Sequence, residues 1–108
     1  MIKATLKRRE GRISEVCVKG HAFYREQGED IVCSAVSAVV QTALLGLIKF
    51  CGEDRVAYKT KDGYLAFTVP VSDDVAENYR TEAIVETMTE GLRDIEKGYK
   101  AFVKVEEI

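Results

Sequence analysis

The chain has 108 residues, 46% of them hydrophobic and 31% charged, which allows one globular domain around a modest core and excludes a second. Sixteen basic against eighteen acidic side chains leave a net charge of −2, so no global attraction to nucleic acid or an anionic membrane is expected and partner choice rests on a local site. Three cysteines, at positions 17, 33 and 51, and the single histidine, His21, match no zinc spacing and cannot all pair within the chain. Free thiols, no metal and no cofactor are expected.

The first ten residues alternate charged and apolar types instead of forming the basic-then-apolar block of a signal peptide, so a cytoplasmic location is expected. Ile2, Ala4 and Leu6 alternate with Lys3, Thr5 and Lys7. After Glu10-Gly11 the segment Ile13 to Lys19 is again rich in β-branched residues around Val16 and Val18. Together they predict a β-hairpin. Gly20 to Asp30 breaks the alternation, mixes Phe23 and Tyr24 with charged side chains and carries Gly20 and Gly28 near its ends, as a surface loop does.

Ile31 to Phe50 is a run of nearly twenty residues with little charge, long enough on length alone to cross a membrane. Ser34, Ser37, Gln41, Thr42 and Lys49 interrupt it, and its flanks alternate as half-buried strands do. A helix sunk against a sheet and ended by Cys51-Gly52 is therefore expected, with no membrane partner.

Arg55 to Lys61 and Tyr64 to Val71 predict a second hairpin around Asp62-Gly63, a dipeptide suited to a type I′ turn. Pro70 sits at the end of its strand, and Ser72-Asp73-Asp74 supplies a cap for a second helix. Val75, Tyr79, Ala83, Met88, Leu92, Ile95 and Tyr99 suggest its apolar stripe, and Gly98 its end. Ala101, Val103 and Val105 form a last strand. The order ββαββαβ predicts a single α+β domain over residues 1–108, with about five mostly antiparallel strands and both helices on one face. The other face, with Lys3, Thr5, Lys7 and Cys17, is too polar for a core and either meets solvent or partly meets a second subunit.

Asp30 immediately precedes the long helix, so its carboxylate is placed to cap it and Cys33 falls at the third helical position. There the positive end of the helix favours negative charge, which makes Cys33 the best nucleophile candidate over a mere packing role. His21 stands twelve residues upstream in the loop, and imidazole is suited to take a thiol proton near neutral pH. Ser37 lies one turn beyond Cys33 on the same helix face, either within the site or bonded to its own helix. Free N–H groups around Cys33 and Ser34 are natural oxyanion donors. Phe23 and Tyr24 either line a peptide groove or anchor the loop. Cys51 lies roughly 27 Å from Cys33 along one helix and cannot act as its resolving thiol; Cys17 reads as structural or incidental.

Gly20-His21-Ala22, followed after a charged loop by the run from Gly28-Glu29-Asp30-Ile31-Val32-Cys33-Ser34 to Ser37, resembles the ribosomal-processing cysteine protease (Prp) family. The Gly-His-Ala element, the Asp ahead of a Val-Cys pair and the later Ser all stand at the family's spacing; outside residues 20 to 40 the likeness is one of pattern. The resemblance implies an endopeptidase that removes a short N-terminal extension from the precursor of large-subunit ribosomal protein twenty-seven. It implies His21 and Cys33 as the catalytic pair, Asp30 and Ser37 in support, and Gly20 letting the loop approach substrate. It also implies a homodimer without metal or cofactor, whose loop orders around the substrate. Whether Asp30 caps the helix or orients His21 is open at this point. The rivals are a non-catalytic dimeric ribosome-assembly module, with residues 20 to 30 as a docking element, and a thiol peroxidase.

Overall fold

The structure, a computed structural model, describes residues 1–26 and 30–108. Strands β1 (Ile2–Arg9) and β2 (Arg12–Lys19) form the first hairpin. Helix α1 (Ile31–Cys51) follows, then a short 3₁₀ turn (Glu53–Arg55), the hairpin β3 (Tyr58–Lys61) and β4 (Tyr64–Thr68), helix α2 (Val75–Gly98) and strand β5 (Val103–Glu107). The ββαββαβ order is the expected one. The sheet is mixed, in the order β3-β4-β2-β1-β5, with every pair antiparallel except β1 and β5.

One face of the sheet meets both helices. Ile2, Ala4 and Leu6 from β1, Leu65 and Phe67 from β4 and Val103 from β5 are buried with Val36, Val40 and Leu47 of α1 and Val85 and Leu92 of α2. Each such fully buried aliphatic side chain contributes about 1.5–3 kcal/mol relative to leaving it in water. In β2, Ile13, Val16 and Val18 share this core although strict alternation would send Ile13 outward. A register shift at Lys7/Arg8 inserts Ser14 as an extra residue, and its hydroxyl donates to the Lys7 carbonyl at 3.1 Å. The opposite face carries the ion pairs Lys3–Glu106, Lys7–Glu15 and Lys104–Glu106, as a solvated face does.

Three local expectations are corrected. Asp62 and Gly63 do turn the second hairpin, but only Gly63 has positive φ (+68°), so the turn is not type I′. The double positive φ of that turn type occurs in the first hairpin, at Glu10 (+54°) and Gly11 (+81°). The second hairpin is also shorter than its apolar runs, because Glu53–Arg55 coils before β3 and the chain leaves the ladder after Thr68. Finally, α2 buries Thr81, Val85, Met88, Thr89 and Leu92, while Val75 and Tyr79 are 63% and 69% exposed. The two threonines pass as apolar because each hydroxyl donates to a carbonyl of its own helix: Thr81 to Asn78 and Thr89 to Val85.

Helix α1 is long and apolar enough to cross a membrane, yet buried residues recur along it from Val32 to Cys51 against the sheet and α2. That face is a core element, while Ile31, Leu45 and Phe50 of the same helix are exposed. The N-terminal half of α1 and the β3–β4 hairpin stand apart, and the site lies in the cleft between them.

Candidate active site

Two chain ends meet at this cleft. Strand β2 delivers Gly20 and His21 at its end, and α1 delivers Cys33 in its first turn. Gly20 leaves the sheet with φ of +100°, and a Cβ there would stand 2.3 Å from the Met1 carbonyl oxygen. Only glycine fits this exit, so Gly20 serves the backbone path that presents His21.

Asp30 settles the question left open by the sequence. It is 5% exposed, and one carboxylate oxygen accepts from the N–H groups of Val32 (2.9 Å) and Cys33 (3.0 Å), capping α1. The other accepts from the N–H groups of Tyr24 (3.0 Å) and Arg25 (3.5 Å), tying down the loop. Burial opposes the charge, but the four backbone N–H groups outweigh it and hold the carboxyl below its ordinary range. Both oxygens are thus engaged by backbone, so Asp30 builds the site's frame and does not orient the imidazole.

The same bonds correct the expected oxyanion donors. The Cys33 N–H is taken by Asp30, and the Ser34 N–H donates to the Asp30 carbonyl at 3.1 Å. The N–H aimed at the Cys33 sulfur comes from the loop instead: Ala22, 3% exposed, donates to Cys33 Sγ at 3.3 Å. The sequence places Ala22 in the Gly-His-Ala element and in the loop expected to meet substrate, and no pattern of side chains announces a backbone donor.

Cys33 is half-buried and shares the cleft, of about 400 Å³, with His21. Among the described residues no hydrogen bond joins the two side chains. The imidazole, about one-third exposed, has its Nε2 3.8 Å from Asp62 Oδ2 and its ring 5.9 Å from that of Phe23. Phe23 is 76% exposed at the mouth and has φ of +58°, an uncommon conformation for a bulky side chain. The two loop aromatics therefore part company: Phe23 lines the cleft, whereas Tyr24 packs edge-on against Tyr99 and Phe102 at 5.6 and 5.2 Å and anchors the loop. Gly28 lies outside the described residues. Ser34 and Ser37 line the α1 wall, where the Ser37 hydroxyl accepts from Gln41 Nε2. Val18, Val36, Val40 and Leu65 make the cleft's floor apolar, and Thr60, Lys61, Asp62 and Gly63 form the far wall, which the sequence reading had not connected to the site.

The other thiols are elsewhere. Cys51 is buried at the far end of α1, where burial, with a smaller contribution from Glu77, pushes its thiol up. Cys17 sits between Thr5 and Ala66 on the solvated sheet face, next to Tyr64, whose hydroxyl it pushes up. Among the described residues no group of three or more His, Cys, Asp or Glu side chains is placed to hold a metal.

A half-buried thiol at a helix start, a histidine lining the same cleft and an apolar floor between helix and hairpin suit attack on an extended peptide. A family model described as "Cysteine protease Prp" matches residues 1–104. The chain belongs to the Prp cysteine protease family. It is 34% identical over 107 residues to the ribosomal processing cysteine protease Prp of Bacillus subtilis, covering 97% of this chain and 96% of that one. The Prp of Staphylococcus aureus is 30% identical over 98 residues, 89% of this chain and 88% of that one. The crystal structure of S. aureus Prp with a covalently linked product peptide superimposes over all of both chains, with a TM-score of 0.84 at 26% identity. The form with a substrate peptide does so with a TM-score of 0.80 at 25%. The family's chemistry is ribosomal processing by a cysteine protease.

Proposed function

We propose that this Prp-family chain is an endopeptidase in which Cys33 is the nucleophile and His21 the base, and that it removes the N-terminal extension of the ribosomal protein twenty-seven precursor. The observation that carries the reading is the shared cleft. Cys33 is the one of three cysteines whose sulfur lies in a substrate-sized opening with the chain's only histidine. The S. aureus relative, which binds substrate peptide and forms a covalent product complex, supports an extended peptide in this cleft. The precursor as substrate rests on the family resemblance, as do the homodimeric state and the cytoplasmic location proposed with it.

In this mechanism His21 takes the proton from Cys33 and the thiolate sulfur bonds to the scissile carbonyl carbon. The tetrahedral intermediate collapses by breaking the C–N bond, and His21 returns the proton to the leaving amine. Water, deprotonated by His21, then releases the acyl group and regenerates the thiol. The Ala22 N–H, beside the sulfur before reaction, is the backbone donor this reading assigns to the oxygen that carries negative charge when the thiolate attacks the carbonyl carbon. Ser34, Ser37 and Gln41 supply polar contacts to the peptide on one wall, and Phe23 and the apolar floor take its side chains.

A peptidyl chloromethyl ketone carrying the residues ahead of the cut tests the nucleophile. Digestion and mass spectrometry are expected to find one adduct, on Cys33. Labelling of Cys17 or Cys51 with Cys33 unmodified would overturn the assignment.

A further inference from the structure

The β3–β4 turn meets the imidazole. The Gly20 N–H donates to the Gly63 carbonyl at 2.9 Å, which ties the residue before His21 to the turn. A Cβ on Gly63 would stand 2.7 Å from His21 Nε2, so the ring edge lies directly over the glycine. Asp62 Oδ2 stands 3.8 Å from the same nitrogen. The last two of these contacts put Nε2, and not Nδ1, against the turn. A ring nitrogen whose N–H faces an acceptor leaves the lone pair to the other nitrogen.

We infer that the β3–β4 turn is the holder of the catalytic imidazole. Asp62 is a positioning residue that accepts from Nε2–H and leaves Nδ1 to receive the Cys33 proton, and Gly63 provides the bare backbone over which the ring lies. The inference rests on the reading of His21 as base. Asp30 cannot take this part, because its oxygens are held by the backbone of the loop and α1. Among the described residues the remaining charged groups on the cleft are Arg25 and Glu26 from the loop and Lys61 from β3, whose Nζ lies 5.4 Å from the Tyr64 ring centre. A separation of 3.8 Å exceeds a hydrogen bond, and such contacts in empty sites tighten when substrate closes over them.

The test uses the whole protein with Asp62→Ala and Asp62→Asn, and reads steady-state kinetics on a precursor peptide alongside NMR of the free enzyme. His21 is the only histidine, so its ring protons identify themselves. Asp62→Ala is expected to lower kcat about tenfold with KM unchanged, the size of a misplaced catalytic group. Asp62→Asn, whose amide oxygen still accepts, restores most of that loss. Nuclear Overhauser contacts between the imidazole and the Gly63 α-protons are expected in the wild type and are weakened in Asp62→Ala. An unchanged kcat in Asp62→Ala, kcat and KM worsening together with a lowered Tm, or ring contacts that persist in full without the carboxylate would overturn the inference. A wild type that cleaves nothing overturns the protease reading instead, and the ring contacts then decide the holder by themselves.

Discussion

Replacing Cys33 with alanine is expected to reduce peptide cleavage by about 10⁴-fold or more, because no other group can form the acyl intermediate and the remaining machinery acts as a unit with the nucleophile. The protein is expected to keep its fold. Cys33 is half-buried at a helix start, its N–H bond to Asp30 is independent of the side chain, and alanine favours helix. Circular dichroism and a Tm within a few degrees of wild type check that the loss is chemical. Cys33→Ser separates the protease from a binding module, since the hydroxyl is a far weaker nucleophile in this setting but a near-isosteric packing residue. Turnover lost with peptide binding retained supports the protease. Cellular function retained in Cys33→Ser would contradict it.

The second large effect is expected at Asp30. Asparagine keeps one acceptor oxygen for the Val32 and Cys33 N–H groups but turns an NH₂ toward those of Tyr24 and Arg25, so the loop clamp is lost even where the cap survives. Because Ala22 and His21 ride on that loop, Asp30→Asn is expected to lower kcat/KM by about 10²-fold, as displacements near 1 Å do. The Tm falls by about 5 °C or more, as loss of a helix-terminal acceptor in a domain of this size does. The pH dependence has a definite sign. The folded-state carboxyl is held below its ordinary range, so the stability it contributes is fully present above the unfolded value of about 3.9 and is lost as pH falls through the folded value. The stability gap between wild type and Asp30→Asn is therefore expected to be full at neutral pH and to close below about pH 4. Urea titrations at several pH values measure it, and a gap that grows on acidification would contradict the role.

Much of this was legible in the sequence because its signals are local. The alternation of Ile2, Ala4 and Leu6, the glycine turns and the long apolar run place the first hairpin, the second hairpin and α1 without reference to tertiary contacts. The cap at Asp30 and the first-turn position of Cys33 follow from the same local rules. What was hidden depends on how chain segments meet. Thr81 and Thr89 look polar until their hydroxyls are seen bonded within α2, and Ile13 looks outward until Ser14 bulges. At the site, the Ala22 N–H has no side-chain signature, and Asp30 had four backbone donors where the sequence offered two alternatives. Asp62-Gly63 carries a turn signal in the sequence, but its second part, a wall against His21, exists only because the β3–β4 turn folds back beside the end of β2.

The most direct test of the central claim is mass spectrometry of the host's ribosomal protein twenty-seven precursor after incubation with the purified protein. The account predicts one defined N-terminal cut, made by the wild type and absent with Cys33→Ala. A precursor that carries its extension and stays intact beside folded wild-type protein would contradict it.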